Sequence, residues 1–259
     1  VDAAPASAFC LADELIPFTS EWHSHRKHQL LYSVRGALRL EMESGQWLLP
    51  PQRAAWIRAG ARHRVSSGQP ASLRTVYLSS RKFRVPGRAD CQVFILTPLA
   101  REMILHSTRW GPERSPKDRR AEVFFTAMAE LLAEWTEQSR PWRLPRAKSA
   151  ELQRAMDFTL EHLDESELSI AEVSRSSGLS ERTLARRFQE EAQTSWRAFL
   201  HDARMLRAME LLAEGERVTQ AAFAVGFESL AAFSHGFHAF TGERPKDFRR
   251  RVTTGTQAE

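Results

Sequence analysis

Two copies of one short pattern, 48 residues apart at their glycines, constrain this chain more than any other feature. Ser174-Arg-Ser-Ser-Gly178-Leu179 is followed by Leu184 and Phe188, and Ala222-Phe-Ala-Val-Gly226-Phe227 by Phe233 and Phe237. In each copy a small residue stands four before the glycine, an apolar residue follows it, and an apolar pair spaced by four comes next. That order suits a tight helix-turn-helix. The small side chain lets two helices cross closely, glycine supplies the positive φ of the turn, and the next apolar residue plugs the corner. One copy alone is weak, because glycine-ended helix pairs occur in many bundles, but a repeat is specific.

Between the copies, Trp196 to Ala213 has the period of a helix with Phe199, Leu200, Ala203, Leu206 and Leu211 inward. About 18 residues at ~1.5 Å each span ~27 Å. With its flanking turns, such a strut matches the ~34 Å between successive major-groove faces on one side of B-DNA. Upstream, Leu152, Met156, Leu160 and Leu163 make one amphipathic helix. Ser169 then stands three before Glu172, the capping-box spacing that opens the next one.

Residues 166–252 resemble the DNA-binding domain of the AraC/XylS family, above all in the run from Val218 to Arg250 with its ending of Gly242, Pro245, Phe248 and Arg249. The resemblance implies recognition helices from about Ser180 to Glu191 and from about Ser229 to Phe240, and double-stranded promoter or operator DNA as partner. On the first helix, inward Leu184 and Phe188 leave Arg182 and Arg186 outside, four apart and able to pair with guanine edges. Thr183 and Arg187 are expected as phosphate or flanking contacts. The second helix turns out Leu230, Ala231, Ser234 and His235, with no Arg or Lys, and is expected to anchor more than specify.

From Phe18 to Leu78 the chain breaks into short apolar or alternating runs: Gln29 to Val34, Ala37 to Met42, Gln46 to Leu49, Ala54 to Ile57, His63 to Val65 and Leu73 to Leu78. Gly and Pro between them predict a sandwich or barrel of strands. After Pro98 the period lengthens, and Phe124, Met128, Leu131 and Trp135 mark one face of a helix that either covers the barrel or pairs two chains. Ser139 to Pro145 is the expected linker.

Four of nine histidines fall between residues 23 and 63. His23 and His25 alternate, so on a strand both rings share a face. The run His23-Ser-His25-Arg-Lys-His-Gln29 and the later Arg58-Ala-Gly60-Ala-Arg-His63 resemble the two cupin motifs, which implies His23, His25, Gln29 and His63 around a metal. Gln29 stands where that pattern has Glu, and Arg58 where it has Pro. A neutral carbonyl binds a divalent ion more weakly than a carboxylate, yet three imidazoles hold Zn²⁺, Ni²⁺ or Fe²⁺. No cofactor is required by the sequence. Cupin-type barrels also serve as sensors in AraC-like regulators, and the stretch from Trp47 to Ile57 resembles the corresponding segment, which makes Trp22, Trp47 and Trp56 candidate walls of an effector pocket.

Charge is unevenly spread. Net +5 overall, the chain is net +9 up to residue 150 and net −4 after it, so the basic balance belongs to the half without the helix-turn-helix repeat. Residues 44–89 carry nine Arg or Lys and no Asp or Glu, which suits either an anionic effector or a solvated surface. Two cysteines exclude a disulfide framework, and no apolar run is long enough for a membrane span. A phosphate loop, a nucleophile elbow and paired carboxylates are all missing.

The expected architecture is α+β and multidomain. It comprises a cupin-like β-barrel effector-sensing domain over 1–100, a helical connector and dimerisation region over 101–150, and an all-α DNA-binding domain over 151–259. The last holds helix-turn-helix motifs at about 169–191 and 218–240 joined by a long helix. The expected function is a cytoplasmic, homodimeric, non-enzymatic transcription regulator, activator or repressor, with a small-molecule effector sensed directly or through a metal. The rivals are a metal-dependent cupin enzyme with a helical appendage and a constitutive DNA-binding protein with an inactive barrel.

Overall fold

The computed structural model describes residues 1–51, 53–84, 89–137 and 143–254, and the chain divides by its contacts into two units. One holds residues 1–43 and 47–141, the other residues 142–258 with 44–46. Of the expected linker, residues 139–142 lie outside the described residues.

In the N-terminal unit, β1(Ala8–Leu15), β2(Phe18–Thr19), β3(Lys27–Arg35), β4(Leu38–Met42), β5(Gly45–Leu49), β6(Arg53–Ile57), β7(His63–Ser67), β8(Ala71–Ser79) and β9(Cys91–Ile95) form two antiparallel sheets. One runs β1-β8-β3-β6-β9 and the other β5-β4-β7-β2. The six runs anticipated from the sequence all appear as strands, with ends shifted by up to two residues. Two further strands, β1 and β9, complete the first sheet.

Strand alternation assigns the residues of β3 to two cores. Leu31 joins Leu38, Leu40, Ala55, Ile57, Leu73 and Val93 between the sheets, whereas Leu30 and Tyr32 face the opposite way. That second face is covered by α1(Pro98–Ser107) and α2(Arg119–Glu137), which contribute Ala100, Ile104, Phe125, Met128, Leu132 and Trp135 to one cluster with Leu30, Trp56 and Phe94. Covered on both sides, β3 is buried from Lys27 through Ser33. On α2 the buried stripe is Ala121, Phe125, Met128, Leu132 and Trp135, and the expected Phe124 and Leu131 lie half-buried on its flank. The helix covers the sheet; Met128 and Trp135 face inward as expected, while Phe125 and Leu132 take the inward places expected of Phe124 and Leu131.

The C-terminal unit is helical: α3(Ala150–Glu161), α4(Ile170–Ser177), α5(Glu181–Ala192), α6(Trp196–Ala213), α7(Val218–Ala224), α8(Leu230–Thr241) and α9(Pro245–Thr254). Serines at the start of five of these, Ser149, Ser169, Ser180, Ser195 and Ser229, each accept a hydrogen bond from an amide of the first turn. The expected capping box between Ser169 and Glu172 is formed.

The α6 strut buries Phe199, Leu200, Ala203, Met205, Leu206, Met209 and Leu212, more of its circumference than an amphipathic stripe. Leu212, not the expected Leu211, points fully inward, because α6 packs against α3, α7, α8 and α9 and needs apolar residues on several sides. Trp196 donates its indole N–H to Thr159 Oγ1 at 3.1 Å, fixing the start of the strut to α3. Among the described residues no helix is long and apolar enough to cross a membrane.

Candidate nucleic-acid interface and histidine centre

Both helix-turn-helix corners close with the same backbone bonds. Gly178 donates to Arg175 O and Leu179 to Ser174 O at 3.0 Å; Gly226 donates to Phe223 O and Phe227 to Ala222 O at 3.1 Å. The glycines have φ of 73° and 71°, in the left-handed region. The small residue four before each glycine is therefore the acceptor that ends the helix. After each turn the apolar pair is fully buried: Leu184 and Phe188 on α5, Phe233 and Phe237 on α8. Full burial of each of these side chains is worth about 1.5 to 3 kcal/mol, which pins the roll of each second helix.

On α5 that roll exposes Glu181, Arg182, Ala185, Arg186, Gln189 and Glu190. Arg182 and Arg186 thus share one open face. Arg186 is 64% exposed, and among the described residues its ion-pair partner is Glu190, at 3.7 Å. A pair this long and open contributes ~0 to 1 kcal/mol and leaves the guanidinium available.

Thr183 and Arg187 sit differently. Thr183 is half-buried and its hydroxyl meets the capping Ser180 Oγ at 2.9 Å. Arg187 turns back to Glu151 of α3 at 3.1 Å and to Glu191 at 3.6 Å. Glu191 in turn accepts from the amides of Lys148 and Ser149 and from the Ser149 hydroxyl, each at 2.8 Å, so the end of α5 caps the start of α3. Burial alone would push the Glu191 carboxyl up, but those hydrogen bonds and Arg187 outweigh it and hold it below the usual carboxylate value.

The α8 helix exposes Leu230, Ala231, Ala232, His235, His238 and Ala239, with Ser234 half-buried. His238 was not singled out in the sequence. It lies one turn beyond Ser234 at a spacing of four, which places it on the same face.

In the N-terminal unit three of the four expected metal ligands converge. Ring nitrogens of His23, His25 and His63 lie within 4.8 Å of one another. They come together without a regular strand under the first two, since His23 and His25 precede β3 and His23 forms only an isolated bridge with His63.

Each ring has its Nδ1 at a backbone carbonyl two residues away: His23 at Glu21 O, 2.8 Å; His25 at Lys27 O, 2.6 Å; His63 at Ala61 O, 2.9 Å. A carbonyl only accepts, so Nδ1 carries the proton in all three, and three Nε2 lone pairs are left facing the cluster. Among the described residues His63 Nε2 is buried with no hydrogen-bond partner. Burial, reinforced by its neighbours His23 and His25, lowers the His63 pKa to about 4 against the bond to Ala61, so the ring is neutral and able to ligate at neutral pH.

Gln29 Oε1 stands 2.9 Å from His25 Nε2. With Nε2 unprotonated, two acceptors this close call for the amide to turn its NH₂ to the ring or for a cation between them. Two ligands on one ion at right angles and ~2.1 Å from it are themselves ~3 Å apart, so the residues fit a transition metal.

The remaining histidine of this stretch is structural: His28 Nδ1 accepts from Ala59 N at 3.1 Å and its ring lies 5.0 Å from Trp56. The three tryptophans are not brought together. Trp47 is buried between the sheets, Trp56 lies in the cluster under α1 and α2, and Trp22 lies between the guanidiniums of Arg62 and Arg64, at 5.5 and 5.3 Å from its ring centre. The basic stretch finds acids elsewhere in the unit. Arg64 grips Glu41 through both carboxylate oxygens, Arg74 reaches Glu14, and Lys82 pairs with Glu122.

Two families match the chain: a helix-turn-helix domain over residues 173–251 and an AraC-like ligand binding domain over residues 9–84. The HTH-type transcriptional regulator NimR of Escherichia coli (strain K12) is 27% identical over 252 residues, 96% of this chain and 89% of that protein. An uncharacterised HTH-type transcriptional regulator of Staphylococcus aureus (strain MSSA476) is 34% identical over 94 residues, 36% of this chain and 12% of that protein. Among solved structures, ToxT from Vibrio cholerae aligns over 95% of this chain and 99% of its own at 12% identity, with a TM-score of 0.41. The C-terminal domain of AraT, a response regulator from Geobacillus stearothermophilus, aligns over 40% of this chain and 86% of its own at 28% identity, with a TM-score of 0.38.

Proposed function

Because this chain belongs to the AraC family of transcription regulators, with a ligand-binding domain ahead of its helix-turn-helix domain, we propose that it is a one-component switch that reads DNA through α5 and senses its effector in the β-sheet domain. The observation that carries the DNA reading is the open pair Arg182 and Arg186 on a helix whose roll is set by buried Leu184 and Phe188. Each good bidentate contact to guanine is worth about 1 to 3 kcal/mol of discrimination. On α8, Leu230 and Ala231 offer apolar contacts to thymine methyls, while Ser234 and His235 offer hydrogen bonds, so this module anchors more than it specifies. Arg187 and Thr183 support α5 from behind, in keeping with their partners.

His23, His25 and His63, with Gln29 beside them, hold a divalent transition metal in this reading. Such an ion would supply Lewis acidity and open coordination positions for a ligand with oxygen or nitrogen donors. The chain's own part is to fix the three tautomers through backbone carbonyls and to keep His63 neutral. We read the centre as a sensor and not a catalyst. Effector or metal occupancy acts by favouring one of two states that differ in DNA affinity.

The domain limits that go with this reading are a sensor over 1–100, a helical region over 101–150 and a DNA-binding domain over 151–259. The net −4 of the DNA-binding half limits what one chain gains from phosphate attraction, which favours a homodimer; a regulator of this kind acts where the DNA is, in the cytoplasm. The test is binding to duplexes selected from a random pool. Wild type enriches a sequence, and Arg186→Ala binds that sequence more weakly with relaxed preference at one position. Failure of the wild type to enrich any sequence refutes the reading.

A further inference from the structure

Where β3 begins and β8 ends, Arg26, Lys27, Ser79, Ser80 and Arg81 line a pocket of about 180 Å³ together with Asp2. Ordinary small-molecule sites start at ~300 Å³, so this one has room for a single small group.

Lys27 is the unusual member. The residue is 8% exposed, and its ammonium donates to Val1 O at 3.0 Å and Ala4 O at 3.3 Å and lies 5.6 Å from the centre of the Phe9 ring. All of these partners are neutral, and among the described residues Lys27 has no ion pair. An ammonium carries three N–H donors, so one is left over, and a buried charge is costly unless a counter-charge meets it.

The nearby acids are already engaged. Asp2 Oδ1 accepts from Arg26 N at 2.8 Å and its Oδ2 lies 3.4 Å from Arg26 Nε, so Asp2 offsets Arg26 and leaves Lys27 and Arg81 as two uncompensated cations. Glu122 is held by Arg114 and Lys82. Arg81 is exposed, and among the described residues neither its guanidinium nor the Ser79 hydroxyl has a hydrogen bond, whereas Ser80 Oγ donates to Arg26 O at 2.9 Å.

Two cations left over, one of them buried, with a free hydroxyl beside them, match a phosphate group. Its charge at neutral pH is about −1.5 to −2, and three oxygens accept from several directions. A carboxylate carries one negative charge and leaves one cation uncompensated. We propose that this pocket binds a phosphate group, free or as the monoester of a small molecule, with Lys27 and Arg81 as its counter-charges and Ser79 as a further donor. None of these residues belongs to the three-histidine centre, so the β-sheet domain gains an anionic input that needs neither metal nor DNA.

The experiment is isothermal titration calorimetry of the full chain at constant ionic strength, with inorganic phosphate, glycerol phosphate and acetate as probes. Phosphate binds once per chain, and acetate binds about tenfold or more weaker. Arg81→Gln weakens phosphate binding about tenfold, the loss of one charge-assisted hydrogen bond, and melts without phosphate at the wild-type temperature. Arg120→Gln, which removes an exposed charge from α2, binds phosphate as wild type does. Lys27→Met abolishes binding, but it also strips the Val1 and Ala4 carbonyls of their donor, so Arg81→Gln is the deciding variant.

A neutral chelator, phenanthroline, leaves every affinity unchanged, because the chain and not a metal holds the phosphate. Tighter binding of glycerol phosphate than of phosphate assigns the group to a phosphorylated small molecule, and equal or weaker binding assigns it to the free ion. Phosphate that fails to bind, binds Arg81→Gln as it binds wild type, is matched by acetate or is released by the chelator overturns the proposal.

Discussion

The Arg204 guanidinium fills the space that a side chain on Gly226 would need. Its Nη2 lies 2.7 Å from where a Cβ would stand, and the Leu163 carbonyl lies 2.6 Å from the same point. Arg204 is held there by bonds to Leu163 O at 3.1 Å and Glu165 O at 2.6 Å. At the other corner, a Cβ on Gly178 would meet nothing within 4 Å. The two glycines share a conformation and differ in space.

Gly178→Ala is therefore expected to cost about 1 to 2 kcal/mol, the strain of a left-handed backbone alone. Gly226→Ala adds a backbone clash and the displacement of Arg204, and should cost distinctly more. Urea denaturation followed by helical circular dichroism measures both. Equal losses would contradict the packing at the second corner.

Arg186→Ala and Arg187→Ala should part company although the residues are neighbours. The first removes an open side chain, leaving stability unchanged while affinity for the preferred duplex falls by about 1 to 3 kcal/mol. The second breaks links to Glu151 and Glu191 and should lower stability by roughly 0.5 to 1 kcal/mol, with a smaller loss of affinity. Thermal melting and competition binding separate these outcomes, and interchanged effects would reassign the two roles.

Glu191 makes the α3–α5 junction acid-sensitive. The unfolded carboxyl takes up its proton near the ordinary value of 4.5 and the folded one only at lower pH. The stabilisation is thus complete above 4.5 and is lost as pH falls from there through the folded value. In urea titrations Glu191→Gln should be less stable than wild type at neutral pH, the gap narrowing as pH drops through that window. A gap independent of pH would show that charge plays no part in the junction.

Much of this was legible because a few residues carry most of the local geometry. The corners at Gly178 and Gly226 need a positive φ, and the serine caps need only the first turn, so both follow from a handful of neighbours. The phase of α2 did not, because Phe124 and Phe125 are equally apolar and only the sheet beneath decides that Phe125 goes in. Strand β1 carries Asp13 and Glu14 and does not resemble a buried strand, yet it pairs along all of its length with β8. The histidine positions were visible by resemblance, while the carbonyls that set their tautomers are a matter of backbone path. Arg187 seemed free for DNA because its partner Glu151 lies 36 residues away, and no local pattern reports such a contact.

The three-histidine centre predicts one Co²⁺ or Zn²⁺ per chain and a raised melting temperature of the β-sheet domain. Metal at a hundredfold over its dissociation constant stabilises by about 2.7 kcal/mol. Chelator should reverse the shift. His63→Ala should abolish it, because the buried Nε2 is lost, whereas His28→Gln should bind metal as wild type does. Equal metal binding by His63→Ala would remove the centre from the account.

Hydroxyl-radical footprinting on a duplex selected by the wild-type protein tests the central claim most directly. Two helix-turn-helix modules joined by α6 should protect two tracts on one face of the duplex, centred about 10 base pairs apart. Arg186→Ala should weaken the tract under α5, and His235→Ala the tract under α8. A single tract, or two that respond together to either substitution, would contradict the reading of DNA by both modules of one chain.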